Sequence, residues 1–305
     1  MKEKPLVSVC ITTYNHEDYI ERCIQRVLDQ KTDFLFEILI GEDGSTDGTR
    51  QKCREMADKH PDLIRLFLRD RKDVIFIKGR PTGRFNAVQN FRDARGKYIA
   101  ICDGDDYWND DQKLQKQVDF LERNPDYAIC HHNAYVLRGD ENMGMKVPTE
   151  RSYHLREFDV GINILSLSAV FRKKCLHTLP KYFLQVYNAD TFIFTHCLLY
   201  GPSKFLSTVL PAIYNLSPNS IWSSKSERFK TERSFETFFA IYGYMPIRLT
   251  HRYLKRFLHK LHGVQRNPRL TPVNKMQIII TKCLLLGPMM VYYKLLYTLD
   301  PKDLI

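Results

Sequence analysis

The feature that most limits how this chain can fold is a regular alternation of strand-like and helix-spaced segments from residue 6 to about residue 132. Residues 6–12 form a nearly continuous apolar run, the pattern of a strand covered on both faces. Over residues 17–29, Tyr19, Ile20, Cys23, Ile24, Val27 and Leu28 recur at helical spacing. Strand-like runs return at 35–41, 63–68, 98–102 and 127–132. Between them the spacing predicts a helix capped by Thr46 or Asp47 and ending before His60-Pro61. A loop around Lys78–Gly83 then leads to a short helix closed by Gly96. A further helix is capped by Asp110 or Asp111, with Leu114, Val118 and Leu121 inward. Strand followed by helix, repeated, predicts an α/β body on a mostly parallel, Rossmann-like sheet flanked by helices.

The second part of the chain is less regular. Residues 138–160 are polar and read as a loop; a strand is expected near 164–171 and a helix near 190–199. From residue 226 the pattern is helical with basic faces, interrupted at Pro246, Pro268, Pro272 and Gly287-Pro288. The expected division is a body over 1–224, with halves 1–135 and 136–224, followed by a basic helical region over 225–305. Charge marks the same boundary. Residues 225–305 hold 15 Lys/Arg against 5 Asp/Glu, which supplies nearly all of the net charge of +11. Such a surplus suits a polyanion, whether nucleic acid or an anionic membrane surface.

Hydrophobic residues at 44% and charged residues at 27% exclude a mainly disordered chain and a polytopic membrane protein. Eight cysteines without a C-x-x-C pair suit a reducing compartment. Cys130-His131-His132 lacks the second pair that a zinc site needs. The N-terminus, Met1 to Pro5 and a short apolar run, does not read as a signal peptide.

In an open parallel sheet, ligands gather beyond the carboxyl ends of the strands. Three of those ends carry polar clusters: Thr12-Thr13-Tyr14-Asn15, Glu42-Asp43-Gly44-Ser45 and Asp103-Gly104-Asp105-Asp106. Each alone suits an ordinary turn. Together they fall on one edge of one sheet. Carboxylates as close as Asp103, Asp105 and Asp106 repel unless a cation compensates, and hard oxygen donors favour Mg²⁺ or Mn²⁺ with substrate phosphates completing the shell. Neither a P-loop nor a G-x-G-x-x-G turn is present.

These runs resemble the family-2 glycosyltransferases of GT-A fold. The similarity is carried by Val7 to Asn15, Glu42 to Thr49, Asp103 to Asp106, and the Ala94-Arg95-Gly96-Lys97-Tyr98-Ile99 stretch that precedes the acidic motif. It extends through Tyr107-Trp108 and Lys113-Leu114-Gln115, is specific over residues 5–135, continues more weakly to about 224, and then fades. The resemblance implies that Thr12, Tyr14, Asn15 and Asp43 hold the nucleotide of a sugar donor. Gly83, Arg84 and Asn90 would line its pocket. Asp103 and Asp106 would stand on the donor side, and Asp105 would bind the divalent metal, Mn²⁺ or Mg²⁺. Asp190, in Asn188-Ala189-Asp190, takes the position of the family's catalytic base, although Ala189 replaces the pair's first acid. Glu157 and Asp159 are the fallback bases. Asn215 and Ser217 replace the family's usual Arg and His in the lid. Trp108, Arg172 and Trp222 are expected on the acceptor or lid side.

The implied reaction is inverting transfer of a sugar from a nucleotide-diphosphate sugar, expected to be a UDP-sugar, to a hydroxyl of a glycan or lipid-linked acceptor. Surface polysaccharide, lipopolysaccharide or capsule assembly is the expected setting. The expected location is cytoplasmic, peripheral on the inner face of the membrane through residues 248–297, without nucleic acid; sequence leaves the oligomeric state open. Packing of the tail on the body is the alternative to membrane contact. Two other classes compete: a nucleotidyltransferase that makes nucleotide sugars, and a non-catalytic polyanion-binding protein.

Overall fold

The computed structural model describes residues 4–147, 149–155, 162–216, 225–244 and 250–283. Its centre is a seven-stranded sheet. The strands are β1 (Val7–Thr13), β2 (Phe36–Glu42), β3 (Ile64–Leu68), β6 (Tyr98–Asp103), β7 (Ile129–His131), β10 (Val170–Arg172) and β11 (Ser203–Phe205). Their order is β11-β7-β10-β6-β1-β2-β3, and β10 alone runs antiparallel to its neighbours. The helices between strands are α1 (Ile20–Leu28), α2 (Thr49–Lys59), α3 (Arg84–Asp93), α4 (Lys113–Arg123) and α5 (Ala189–Cys197).

Alternation along the strands builds a core on each face. Val7, Val9 and Ile11 join Ile38, Ile40, Tyr98, Ala100 and Cys102 in a cluster that takes in Ile20, Ile24, Val27, Leu114 and Leu121 from α1 and α4. Cys10, Leu39 and Ile99 point the other way, toward Val88 and Phe91 of α3 and Phe192 and Phe194 of α5. A sheet apolar on both faces must be covered on both. Gly96 follows from this closeness: a Cβ there would lie 2.6 Å from the backbone nitrogen of Ser8.

Three expectations change. The loop around Lys78–Gly83 contains a hairpin, β4 (Ile75–Ile77) with β5 (Arg80–Thr82). Lys78 and Gly79 sit between them at φ 52° and 74°, the positive values a tight hairpin turn demands. The loop expected over 138–160 begins with a second hairpin, β8 (Ala134–Arg138) with β9 (Glu141–Met145), while β12 (Ala212–Asn215) pairs with the other edge of β8. Strand β9 is mostly exposed and buries no apolar face, and it pairs with β8. The strand expected over 164–171 is a 3-10 turn at Ser166–Ser168 and only then β10.

Helices α6 (Glu227–Tyr244) and α7 (Thr250–Arg266) come from the basic region. Phe235, Phe238, Phe239 and Phe257 interlock as an aromatic group and belong to the same apolar cluster as Ile99 and Phe171. The described apolar faces of these helices therefore pack largely on the body. Leu258, Val273, Met276 and Ile280 face solvent. Among the described residues, no helix is long and apolar enough to cross a membrane.

Candidate active site

The parallel strands β1, β2 and β6 end side by side, with Thr12 opposite Asp103 and Thr13 opposite Glu42. The three polar clusters thus meet on one sheet edge. On its β2 side, Asp43 is almost wholly buried and accepts from Arg71 Nη1 at 2.8 Å through Oδ2. Its Oδ1 is buried without a partner. Burial pushes the Asp43 carboxyl up, and Arg71 pulls it part of the way back. The Arg71 guanidinium lies 4.0 Å from the Tyr14 ring centroid. Asn15, at φ 54°, locks the first turn to the second: its N–H donates to Ser45 Oγ (2.9 Å) and its Oδ1 accepts from the Thr46 N–H (2.9 Å). Asn15 thereby supports the loops that carry Tyr14 and Asp43.

On the β6 side stand the carboxylates. Thr12 donates its hydroxyl to Asp103 Oδ1 at 2.7 Å. Asp106 Oδ1 accepts the Asn215 N–H at 2.9 Å, and the Asn215 amide donates to the Asp105 carbonyl at 2.5 Å, so β12 clamps the acidic turn. His16 Nε2 lies 3.8 Å from Asp105 Oδ2. Burial first, and then the Asp105 charge, push Asp103 up to about 6. Asp106 is raised well above its ordinary range by the same two causes. Burial lowers His16 against the opposing pull of Asp105. Carboxylates raised by one another are a donor set that a hard divalent cation fits. Among the described residues no three His, Cys, Asp or Glu side chains form a ready metal cage.

Asp190 comes from the far half of the chain. It stands in the first turn of α5, half-buried, and its own oxygen accepts the Thr191 N–H at 2.7 Å. Burial raises its carboxyl, Arg84 lowers it, and it interacts electrostatically with Asp103 and Tyr214. The structure therefore brings Asp190 to the strand-end carboxylates. Arg84, the first residue of α3, donates to the carbonyls of Phe183 (2.6 Å) and Tyr187 (3.3 Å), in the segment that leads into α5. From α6, Thr237 Oγ1 accepts the Asn188 N–H at 3.2 Å. The basic region thus helps to fix the loop that delivers Asp190.

Other expected positions are placed elsewhere. Asn90 is buried: its amide donates to the carbonyls of Ile11 and Leu39, and its Oδ1 accepts from Arg69 at 2.8 Å. It braces β1 and β2 from below the donor edge. Gly83 is the residue before α3. Trp108, expected on the acceptor or lid side, is instead a core residue, 1% exposed, with Nε1 donating to the Leu167 carbonyl and Lys113 Nζ 4.0 Å from its ring centroid. Arg172 is corrected from the acceptor side. It pairs with Tyr98 at the start of β6, the sheet edge opposite Asp103, and donates to Tyr127, Leu121 and Asn124 carbonyls and to the Tyr98 hydroxyl. The antiparallel direction of β10 carries its last residue to that edge. Glu157, Asp159, Ser217 and Trp222 lie outside the described residues.

Sequence reasoning missed His16, Arg71 and Lys146 as neighbours of the site. Lys146 Nζ lies 4.0 Å from the Tyr214 ring centroid and interacts with Asp106. It follows the β9 strand, itself invisible to patterning. His16 stood beside the quoted Tyr14-Asn15 motif and was legible by adjacency.

The family profile described as Glycosyl transferase family 2 matches residues 8–177, more than half of the chain. This chain belongs to glycosyl transferase family 2. Its fold is the GT-A arrangement. Rv1520, an uncharacterized protein of Mycobacterium tuberculosis, is 36% identical over 138 residues, 44% of this chain and 36% of Rv1520. The putative teichuronic acid biosynthesis glycosyltransferase TuaG of Bacillus subtilis is 37% identical over 142 residues, 45% of this chain and 50% of TuaG. The match thus spans between about a third and a half of these relatives' length. The UDP-Glc:alpha-D-GlcNAc-diphosphoundecaprenol beta-1,3-glucosyltransferase WfgD of Escherichia coli is 28% identical over 229 residues, 74% of this chain and 83% of WfgD. Among solved structures, the mannosyltransferase PcManGT of Pyrobaculum calidifontis, in complex with GDP-Man and Mn²⁺, superposes with a TM-score of 0.56 at 16% identity, covering 96% of this chain and 84% of that one.

Proposed function

We propose that this chain is an inverting, divalent-metal-dependent glycosyltransferase that moves a sugar from UDP to a hydroxyl of a glycan or lipid-linked acceptor in the building of a surface polysaccharide. One observation carries the reading: Asp190, from a distant part of the chain, lies half-buried within electrostatic range of Asp103 at the acidic strand end. A carboxylate opposite a diphosphate site has a task that the diphosphate site alone does not explain. The acceptor oxygen attacks C1 of the sugar as the C1–oxygen bond to the diphosphate breaks, and Asp190 takes the acceptor's proton. Such a general base contributes about 10²–10⁴-fold. The transition state has oxocarbenium character. A divalent cation held at Asp105 supplies charge neutralisation for the leaving diphosphate. Thr12 orients Asp103, and Asn215 holds the turn that presents Asp105 and Asp106.

Asp43 supports a uridine over a guanosine donor. One of its oxygens is engaged by Arg71 and the other is buried without a partner. Uracil presents a single ring N–H between two carbonyls, which suits one open acceptor beside a guanidinium. Guanine presents adjacent N–H donors that call for both carboxylate oxygens. Membership of a glycosyltransferase family and the similarity to WfgD favour glycosyl transfer over the nucleotidyltransferase and polyanion-binder readings. The basic surplus of residues 225–305 and the exposed Leu258, Val273, Met276 and Ile280 favour peripheral docking on an anionic membrane. Packing of α6 and α7 on the body accounts for their other apolar residues.

The test is a panel of UDP-, GDP-, dTDP- and CMP-sugars scored by thermal stabilisation with and without Mn²⁺, and by release of nucleoside diphosphate. UDP-sugars should stabilise the protein more with Mn²⁺ and release UDP. Formation of UTP from a UDP-sugar and added pyrophosphate without release of UDP, or indifference to every donor, would overturn the proposal.

A further inference from the structure

The turn after β1 ends in His16, which the donor-site residues do not account for. Its position is fixed from several sides. The His16 N–H donates to Thr49 Oγ1 at 2.8 Å, and Asn15 before it is tied to Ser45 and Thr46. The ring's Nδ1 lies 3.3 Å from Thr13 Oγ1, which leaves Nε2 as the nitrogen facing Asp105, 3.8 Å from Oδ2. The residue between Asp103 and Asp105 must be small for this to occur. A Cβ on Gly104 would lie 2.6 Å from Thr13 Oγ1 and 2.9 Å from His16 Nδ1. Both side chains keep a little exposure, 17% for His16 and 15% for Asp105, so the space between them is reachable from the cleft.

We propose that His16 is a second protein ligand of the divalent cation, sharing it with Asp105 through Nε2. The inference rests on the proposed role of Asp105 as the metal-binding carboxylate. A separation of 3.8 Å is too long for a direct hydrogen bond, which needs about 2.7–3.2 Å. It suits two donors on one ion: with metal–ligand distances of about 2.1 Å, donors in the shell stand about 3–4 Å apart. When Nδ1–H donates to the Thr13 hydroxyl, the lone pair is on Nε2, the arrangement by which a neighbouring acceptor fixes the tautomer of a metal-bound histidine. Among the described residues the site offers no cage of three ligands, so a second protein donor weighs heavily in affinity. An imidazole in the shell also bears on the choice of metal, because nitrogen donors suit Mn²⁺ better than Mg²⁺.

The test uses UDP and Mn²⁺ as probes on the full chain. Pulsed electron paramagnetic resonance of the wild-type Mn²⁺–UDP complex should show coupling to an imidazole nitrogen that disappears in His16→Gln. In the same variant Mn²⁺ affinity at saturating UDP should fall on the order of tenfold or more, and the preference for Mn²⁺ over Mg²⁺ should shrink. Thermal stability without metal serves as the folding control. Bound Mn²⁺ without nitrogen coupling, or His16→Gln with wild-type coupling and affinity, would overturn the inference while leaving Asp105 in place. If Mn²⁺ does not enhance UDP binding in wild type, and Asp105→Asn behaves identically, the metal reading of Asp105 fails and His16 falls with it.

Discussion

Asp103→Asn should make the ligand-free protein more stable at neutral pH while damaging donor binding. Asp103 is half-buried at the end of β6, and burial with the Asp105 charge raises it from an ordinary 3.8 to about 6. A carboxyl whose folded value lies above its unfolded value favours the protonated form on folding. The cost is therefore absent below about pH 3.8, grows between there and about pH 6, and is complete above. The difference corresponds to about 3 kcal/mol, at roughly 1.4 kcal/mol per unit. Asparagine keeps an oxygen for the Thr12 hydroxyl, and the pull of that 2.7 Å bond on the charged form is already contained in the net rise. The expected gain is thus about 3 kcal/mol at pH 7.5, fading toward zero at pH 4. Urea unfolding of both proteins at pH 4, 5, 6 and 7.5 without metal measures it. Adding Mn²⁺ and UDP should reverse the order, because binding stabilises wild type by mass action. If Asp103→Asn is no more stable at pH 7.5, or if its advantage is the same at pH 4, the electrostatic account of the strand-end cluster is wrong.

Asp190→Asn should retain UDP affinity by calorimetry and lose at least about a hundredfold in kcat, since a base acts on the acceptor proton and hardly on donor binding. Arg84→Met should move the acid limb of the kcat–pH profile to higher pH: Arg84 lowers the Asp190 carboxyl, and without it a higher pH is needed to ionise the base. Rescue of that limb by Arg84→Lys would separate charge from packing. Arg172→Met should destabilise the protein by about 3 kcal/mol in urea unfolding, because three carbonyls and a hydroxyl lose their donor. Its UDP affinity should equal that of wild type, since Arg172 lies at the other sheet edge.

The donor half was legible because its code is local. Apolar runs at strand length, helical spacing between them and polar residues at the strand ends place Thr12, Asp43 and Asp103 on one edge without long-range information. The hairpins were not legible for the converse reason. Lys78 and Gly79 carry positive φ with only one glycine to signal it, and β9 pairs through its backbone with side chains turned to water. Trp108 and Arg172 failed for a tertiary reason. Their motif neighbours point to a site, but whether a residue faces cleft or core depends on strand direction and on partners such as the Leu167 carbonyl, which no spacing reveals.

The placement of the two halves bears on how the site works. Thr12, Asp43 and Asp103 stand at the ends of buried parallel strands, where a donor and its cation would be held with little reorganisation. Asp190 is delivered instead by the segment 181–189, which lacks strand pairing and is held by Arg84 from α3 and Thr237 from α6. On the proposed roles, donor holding and acceptor deprotonation therefore depend on different supports. Changes in the Arg84 and Thr237 contacts should then alter turnover while leaving donor affinity in place, and through Thr237 the basic C-terminal helices would bear on catalysis whether or not they also touch a membrane.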